Sequence, residues 1–175
     1  MMRKVHFCDL KGRYWPTLSE LSPYFLTQKG NERWYSGGND SWGLEITGLY
    51  GTVDLPVYGR TGPEGVGSRV EAHLSMWGNP DYGAFLYYHR YGGGYADHYY
   101  SAGDLSRLSV WVRTRHSDLN PVGLYIPFRD AWPAVKEFME TDGELPKCIP
   151  WITSNDLPDN TFPVPHDPNI VAIND

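Results

Sequence analysis

Apolar and polar positions alternate most clearly in the middle of the chain. From Ser68 to Trp77, Val70, Ala72, Leu74 and Met76 fall on one side, and Arg69, Glu71, His73 and Ser75 on the other. This period of two predicts a strand with one buried face. Gly78-Asn79-Pro80-Asp81 is a turn by residue type, and Tyr82 to Tyr91 returns as the antiparallel partner. Gly92-Gly93-Gly94 makes a second turn before a strand over Tyr95 to Ser101. Leu108, Val110 and Val112, alternating with Ser109, Trp111 and Arg113, predict the next strand. Upstream, Lys4 to Leu10, Arg33 to Tyr35 and Trp42 to Tyr50 read as strands, with Leu44 and Ile46 inward and Gly48 a third candidate. Thr17-Leu18-Ser19-Glu20 has capping-box spacing, and Pro23 limits the helix it opens to about two turns or moves its start later.

The stretch from Val122 to Trp151 changes period. Val122, Leu124 and Ile126 alternate as a strand, which Pro127 ends because proline cannot donate to a ladder. Ala131, Trp132, Val135, Phe138 and Met139 then recur at three- and four-residue spacing, while Lys136, Glu137 and Glu140 take the opposite side. This predicts an amphipathic helix over about 129–141, starting near Phe128 to Asp130 so that Pro133 falls in its first turn. Asp142-Gly143 stops it. Cys148 to Trp151 is a last apolar segment.

A run of strands with one strong helix near the end predicts an α+β domain, mostly antiparallel twisted sheet, with that helix packed on one face. Trp132, Val135, Phe138 and Met139 should meet the sheet at Val70, Leu74, Leu108, Val110, Leu124 and Ile126. Residues 1–152 read as one domain and 153–175 as a Pro-rich acidic C-terminal tail, extended over the surface.

Composition sharpens the functional reading. Lys and Arg number 15 against 21 Asp and Glu, a net charge of −6. That argues against nucleic acid as a direct partner, which needs a cationic surface, and favours a basic protein. Thirteen Tyr and seven Trp exceed what a core of this size needs, and large amphipathic aromatics suit recognition surfaces. Cys8 and Cys148 sit in apolar contexts and are expected as free, buried thiols of a reducing cytoplasm, with a single bridge between them as the alternative. No apolar run approaches membrane-spanning length, and the N-terminus lacks a signal-peptide core.

No catalytic constellation is complete. Glu71, His73 and Ser75 share one face of one strand, so a relay would need partners from elsewhere. Asp81 and Asp97 could act as paired carboxylates only if two loops met. The six histidines include no H-x-H or H-E-x-x-H, and no C-x-x-C accompanies them, so spacing assigns no metal or cofactor site. Tyr91-Gly92-Gly93-Gly94-Tyr95 precedes a strand rather than a helix, which fits a hairpin and not a phosphate loop. What remains is an acidic-aromatic set at hairpin ends and loops: Trp77, Asp81, Tyr82, Tyr91, Tyr95, Asp97, Tyr99 and Asp104. Rigid rings beside carboxylates suit contact with a basic protein partner.

Ile126-Pro127, Ala131, Ala134, Glu137-Phe138, Gly143, Pro146 and Trp151 together follow a strand, Pro turn, A-x-x-A-x-x-E-F helix, G-x-x-P turn and terminal apolar-x-W strand. In this the chain resembles an immunity-protein family of bacterial polymorphic toxin systems, often paired with nucleic acid deaminase toxins. The Gly- and Tyr-rich stretch from Tyr82 to Gly103 shares the resemblance. It implies a cytoplasmic, non-enzymatic protein that binds a cognate toxin and occludes its active site, with the acidic-aromatic set as toxin-binding residues. The alternative is a small hydrolase or ligand-binding domain with a pocket in the Gly-rich loops.

Overall fold

The computed structural model describes residues 1–6, 15–34, 39–56 and 67–175. The expected strand residues Phe7 to Leu10, Cys8 among them, therefore lie outside the described residues, as do Tyr35 and most of the Gly-rich loop at 57–66.

A seven-stranded antiparallel sheet organises the chain. It contains β1 (Met2–Val5), β2 (Ser41–Gly51), β3 (Ser68–Asn79), β4 (Gly83–Gly92), β5 (Tyr95–Ser101) and β9 (Trp151–Thr153), side by side in that order. β6 (Trp111–Arg113) and β7 (Leu119–Pro121) form a separate two-stranded sheet. The short β8 (Tyr125–Ile126) joins the edge of β4 that β5 has vacated, pairing with Ala84 and Phe85. Helices are α1 (Leu18–Leu26), α2 (Gln28–Glu32) and α3 (Phe128–Glu140). The α+β antiparallel architecture read from the sequence is the one found.

Local chemistry explains the boundaries. The capping box at Thr17 and Glu20 is formed in both directions, and α1 runs on through Pro23. Gly93 and Gly94 both have positive φ, as a two-residue type I′ hairpin requires. α3 starts one residue before the expected span, directly after Pro127. Pro133 thus falls in the second turn, where the carbonyl it leaves free belongs to the exposed Arg129. In β2 an extra residue bulges between Ile46, opposite Ala72, and Leu49, opposite Val70. Gly48 sits in that bulge with a φ of 74°, so Leu49 rather than Gly48 points inward.

The two sheet faces carry separate cores. On one, α1 and α3 pack on Leu44, Ile46, Val70, Ala72, Leu74, Met76, Leu86 and Tyr88, with Phe25, Trp34, Val135 and Phe138 between them. On the other, Phe85, Val112, Val122, Leu124 and Tyr125 form a smaller cluster, joined by Trp77, Tyr100, Leu108 and Val110. Two expectations change here. Leu108, Val110 and Leu124 lie across the sheet from α3, because residues 122–124 form a 3-10 turn instead of a strand and carry Leu124 to the far side. Trp132 is only half-buried, at the rim of the helical core beside Phe25, and Phe138 fills the centre.

One buried hydroxyl closes the gap between the two partners of β4. β5 pairs with β4 as far as Tyr87, and β8 resumes at Phe85, leaving the Leu86 amide without a strand opposite. Ser101 Oγ accepts from Leu86 N at 2.9 Å and donates to Leu124 O at 2.6 Å, fully buried. Ser101→Ala leaves both backbone groups unsatisfied and should destabilise the fold by about 2–4 kcal/mol, whereas the exposed Ser109→Ala should stay within about 0.5 kcal/mol of wild type. Urea denaturation midpoints compare the two; equal midpoints would show that the bridge contributes nothing.

Candidate functional site

The strand registers place one residue from each of five neighbouring strands in a single cross-strand row. Lys4 of β1 faces Glu45 of β2, Glu45 faces His73 of β3, His73 faces His89 of β4, and His89 faces His98 of β5. The row lies on the face opposite α1 and α3, since β4 turns Ala84, Leu86 and Tyr88 to the helices. Tyr87 and Tyr91, two residues either side of His89, extend it. The rings touch in series: His73 stacks on His89 at 4.4 Å, Tyr87 and Tyr91 flank His89 at 4.8 and 4.6 Å, and His98 lies parallel to Tyr87 at 5.9 Å.

Burial and mutual charge set the protonation states. Burial, reinforced by His73 and His98 alongside, lowers the His89 pKa to about 4, so this imidazole is neutral at pH 7. Its Nδ1 is buried without a hydrogen-bond partner among the described residues. Burial also raises the Tyr87 phenol, which stays protonated 2.6 Å from His98 Nδ1. At the other end of the row burial works against the Glu45 carboxylate, but bonds from Lys4 and His6 outweigh it and hold its pKa below the usual value.

The acidic-aromatic set does not converge on one spot. Asp81 and Tyr82 occupy the β3–β4 turn, where Tyr82 lies against Tyr125 and under the Arg107 guanidinium. Asp104 is exposed and caps the short 3-10 turn that contains Arg107. Trp77 stacks on Phe85 in the second core. Asp97 lies opposite Arg90, seven residues along β4 from Gly83 and so about 23 Å from the Asp81 turn. That separation rules out the pairing of Asp81 with Asp97 as two acting carboxylates. Asp97 is instead bonded by Arg90 Nη2 at 2.7 Å, and the same guanidinium covers the Tyr95 ring at 3.8 Å. Tyr95 is a core residue whose hydroxyl donates to Thr52 O, and not a free loop end. Tyr99 packs on Tyr88 on the helical side. Tyr91 is the member of the set that stands exposed on the ring-lined face.

The histidine row was overlooked because linear spacing cannot show it. Counting outward from the two turns would have found it: His73 and His89 are equidistant from the β3–β4 turn, and His89 and His98 from the Gly93-Gly94 turn.

The tail closes the rest of this face. Phe162 lies over Phe85 and Tyr100 at 6.2 and 5.3 Å. Trp111 Nε1 donates to Thr161 O, and Arg113 binds the Asp175 carboxylate at 2.7 and 2.8 Å. A cavity of about 270 Å³ remains between Trp77, Tyr87, Phe162 and Pro163. No described helix is long and apolar enough to cross a membrane.

This is an α+β fold whose open sheet face carries stacked rings with the Glu45 and Glu71 carboxylates at one edge. The chain matches the family Immunity protein Imm1 over residues 53–153, more than half its length, and belongs to that family. The match spans β3 to β9 and α3, including the segments on which the sequence resemblance rested. Comparison with curated proteins and with solved structures finds no match.

Cys148, expected buried, is exposed and free because it follows the G-x-x-P turn outside the sheet. It is nonetheless a poor nucleophile. Local burial and the adjacent Glu137 carboxylate push its pKa to about 11, while Glu137 accepts the amides of Lys147 and Cys148 at 3.0 and 3.3 Å. In a Cys8→Ser background, iodoacetamide at pH 8 should alkylate Cys148 at least about tenfold more slowly than a free cysteine peptide, and Glu137→Gln should accelerate it. Labelling at the peptide's rate would overturn this account.

Proposed function

We propose that this protein neutralises a cognate toxin domain by binding it stoichiometrically in the cytoplasm and covering its active site. Family membership carries the reading, and the ring-lined face with its acidic edge supports it. The toxin is proposed to be basic, a nucleic acid deaminase or nuclease whose substrate groove an acidic partner fills. The protein does no chemistry on it and contacts no nucleic acid itself.

The proposed contact runs over two places. One is the exposed Tyr91 with its neighbours on the ring face. The other is the turn end with Asp81, Tyr82 and Asp104. An interface of ordinary size, about 800 Å² per partner and so about 30 Å across, reaches from one to the other. Trp77 supports this surface from within, while Tyr95, Asp97 and Tyr99 pack on the helical side of the same strands.

Asp81→Lys should slow association with the cognate toxin and reduce its salt dependence. Tyr91→Ala should leave association nearly unchanged and speed dissociation by about tenfold or more. Tyr95→Ala should lower stability first, because it opens the core. Kinetics on the purified complex, with protection of toxin-expressing cells, read all three. Unchanged rates and full protection in folded Asp81→Lys and Tyr91→Ala would place the interface elsewhere.

A further inference from the structure

The acidic end of the histidine row has the composition of a metal site. Glu45, Glu71 and His73 each point one ligand atom into the same small volume, and those atoms lie within 4.8 Å of one another. They come from two strands: Glu71 and His73 are two apart on one face of β3, and Glu45 is His73's direct partner on β2. His73 Nε2 is already 3.5 Å from Glu71 Oε2. Tetrahedral ligands on bonds of about 2.1 Å sit about 3.4 Å apart, so this pair has the required spacing before any ion binds. His6 Nε2 lies 3.4 Å from Glu45 Oε2 at the rim, outside this group of three, so a solvent molecule would complete four-coordination.

We propose that Glu45, Glu71 and His73 bind a divalent transition-metal ion of the zinc class on the open face of the sheet. One imidazole with two carboxylates is a donor set that suits zinc, cobalt or nickel and excludes the soft, all-thiolate preference of copper(I). The surroundings hold the ligands in place. Lys4 Nζ donates to Glu45 Oε1 at 3.1 Å and His6 Nε2 lies against Oε2, which hold that carboxylate in place, and the His89 ring stacked on His73 fixes the plane of that imidazole. The dication offsets the two carboxylates that the sheet sets side by side. This site is independent of the toxin reading: an ion here is bound by the free protein.

Isothermal titration of the tag-free, metal-free protein with zinc chloride tests it, with magnesium chloride as the comparison. Saturable zinc binding at one equivalent is expected, with magnesium at least about a hundredfold weaker because the imidazole donor favours zinc. Glu71→Gln and His73→Asn should each weaken zinc binding about tenfold or more, and circular dichroism should report an unchanged fold, since Glu71 is exposed. His116→Asn, at a histidine bonded to Asn39 away from the row, should bind as wild type. Cobalt in place of zinc should give the intense visible bands of a four-coordinate ion. Absent saturable zinc binding, binding undiminished in both variants, or loss in His116→Asn alone would each overturn the proposal.

Discussion

The fold depends on how β4 is satisfied along its whole length. Nine residues of this strand pair with β3 on one side, but its other side has two successive partners, β5 and then β8. The changeover falls on Leu86, in the driest part of the sheet, where an unpaired amide would be expensive. The Ser101 hydroxyl resolves it by standing in for a strand, accepting from one backbone and donating to the other. Because the β5–β8 junction is held there, the chain after Ile126 leaves the sheet at a fixed point, and α3 starts where it can lay Ala131, Ala134, Val135 and Phe138 on the strands.

From that strand the two faces take different roles. The helical face is packed by aliphatic side chains together with Phe25, Trp34, Phe128 and Phe138, with Tyr88 anchored to Gly143 O across the core. The opposite face is built of rings that can stack yet remain partly wet. His73, His89 and His98 are aligned by hairpin register alone, so their proximity results from two turns and needs no local sequence motif. The same register sets Glu45 beside His73, bringing an acidic pair and an imidazole together on a face otherwise dominated by phenols and imidazoles.

Much of this architecture was legible in the sequence wherever one physical signal dominated. The β3–β4 and β4–β5 hairpins, the capping box of α1 and the amphipathic face of α3 follow from alternation, turn residues and helical spacing, and each lies where those patterns put it. Reading failed where two signals competed. Val122, Leu124 and Ile126 alternate like a strand, yet Gly123 sits so close to Asp104 and Leu108 that a side chain there would clash, and the chain turns in a 3-10 helix. The bulge at Gly48 breaks the period of two that the rest of β2 obeys. At the site, residue type singled out Tyr91, Tyr95 and Asp97 together, but their exposure depends on which face each occupies and on Arg90, which only the hairpin register sets opposite Asp97.

The tail has a consequence for how much of the ring-lined face is open. Phe162, Pro163 and Pro165 cover Phe85 and part of Trp77 and Tyr100, while Arg113 and Trp111 hold the strap from below. The sheet thus owns one continuous stripe of rings, from Trp77 across Phe85 and Tyr87 to Tyr91, and the strap acts as a mask that decides how much of it is shown. Beyond its start in β9, the polar anchor points of the strap sit on β6, in the small sheet, while its Phe162 ring rests on the large sheet. Residues 153–175 are therefore a ruler laid across the aromatic stripe, and the position of Phe162 marks where the presented surface ends.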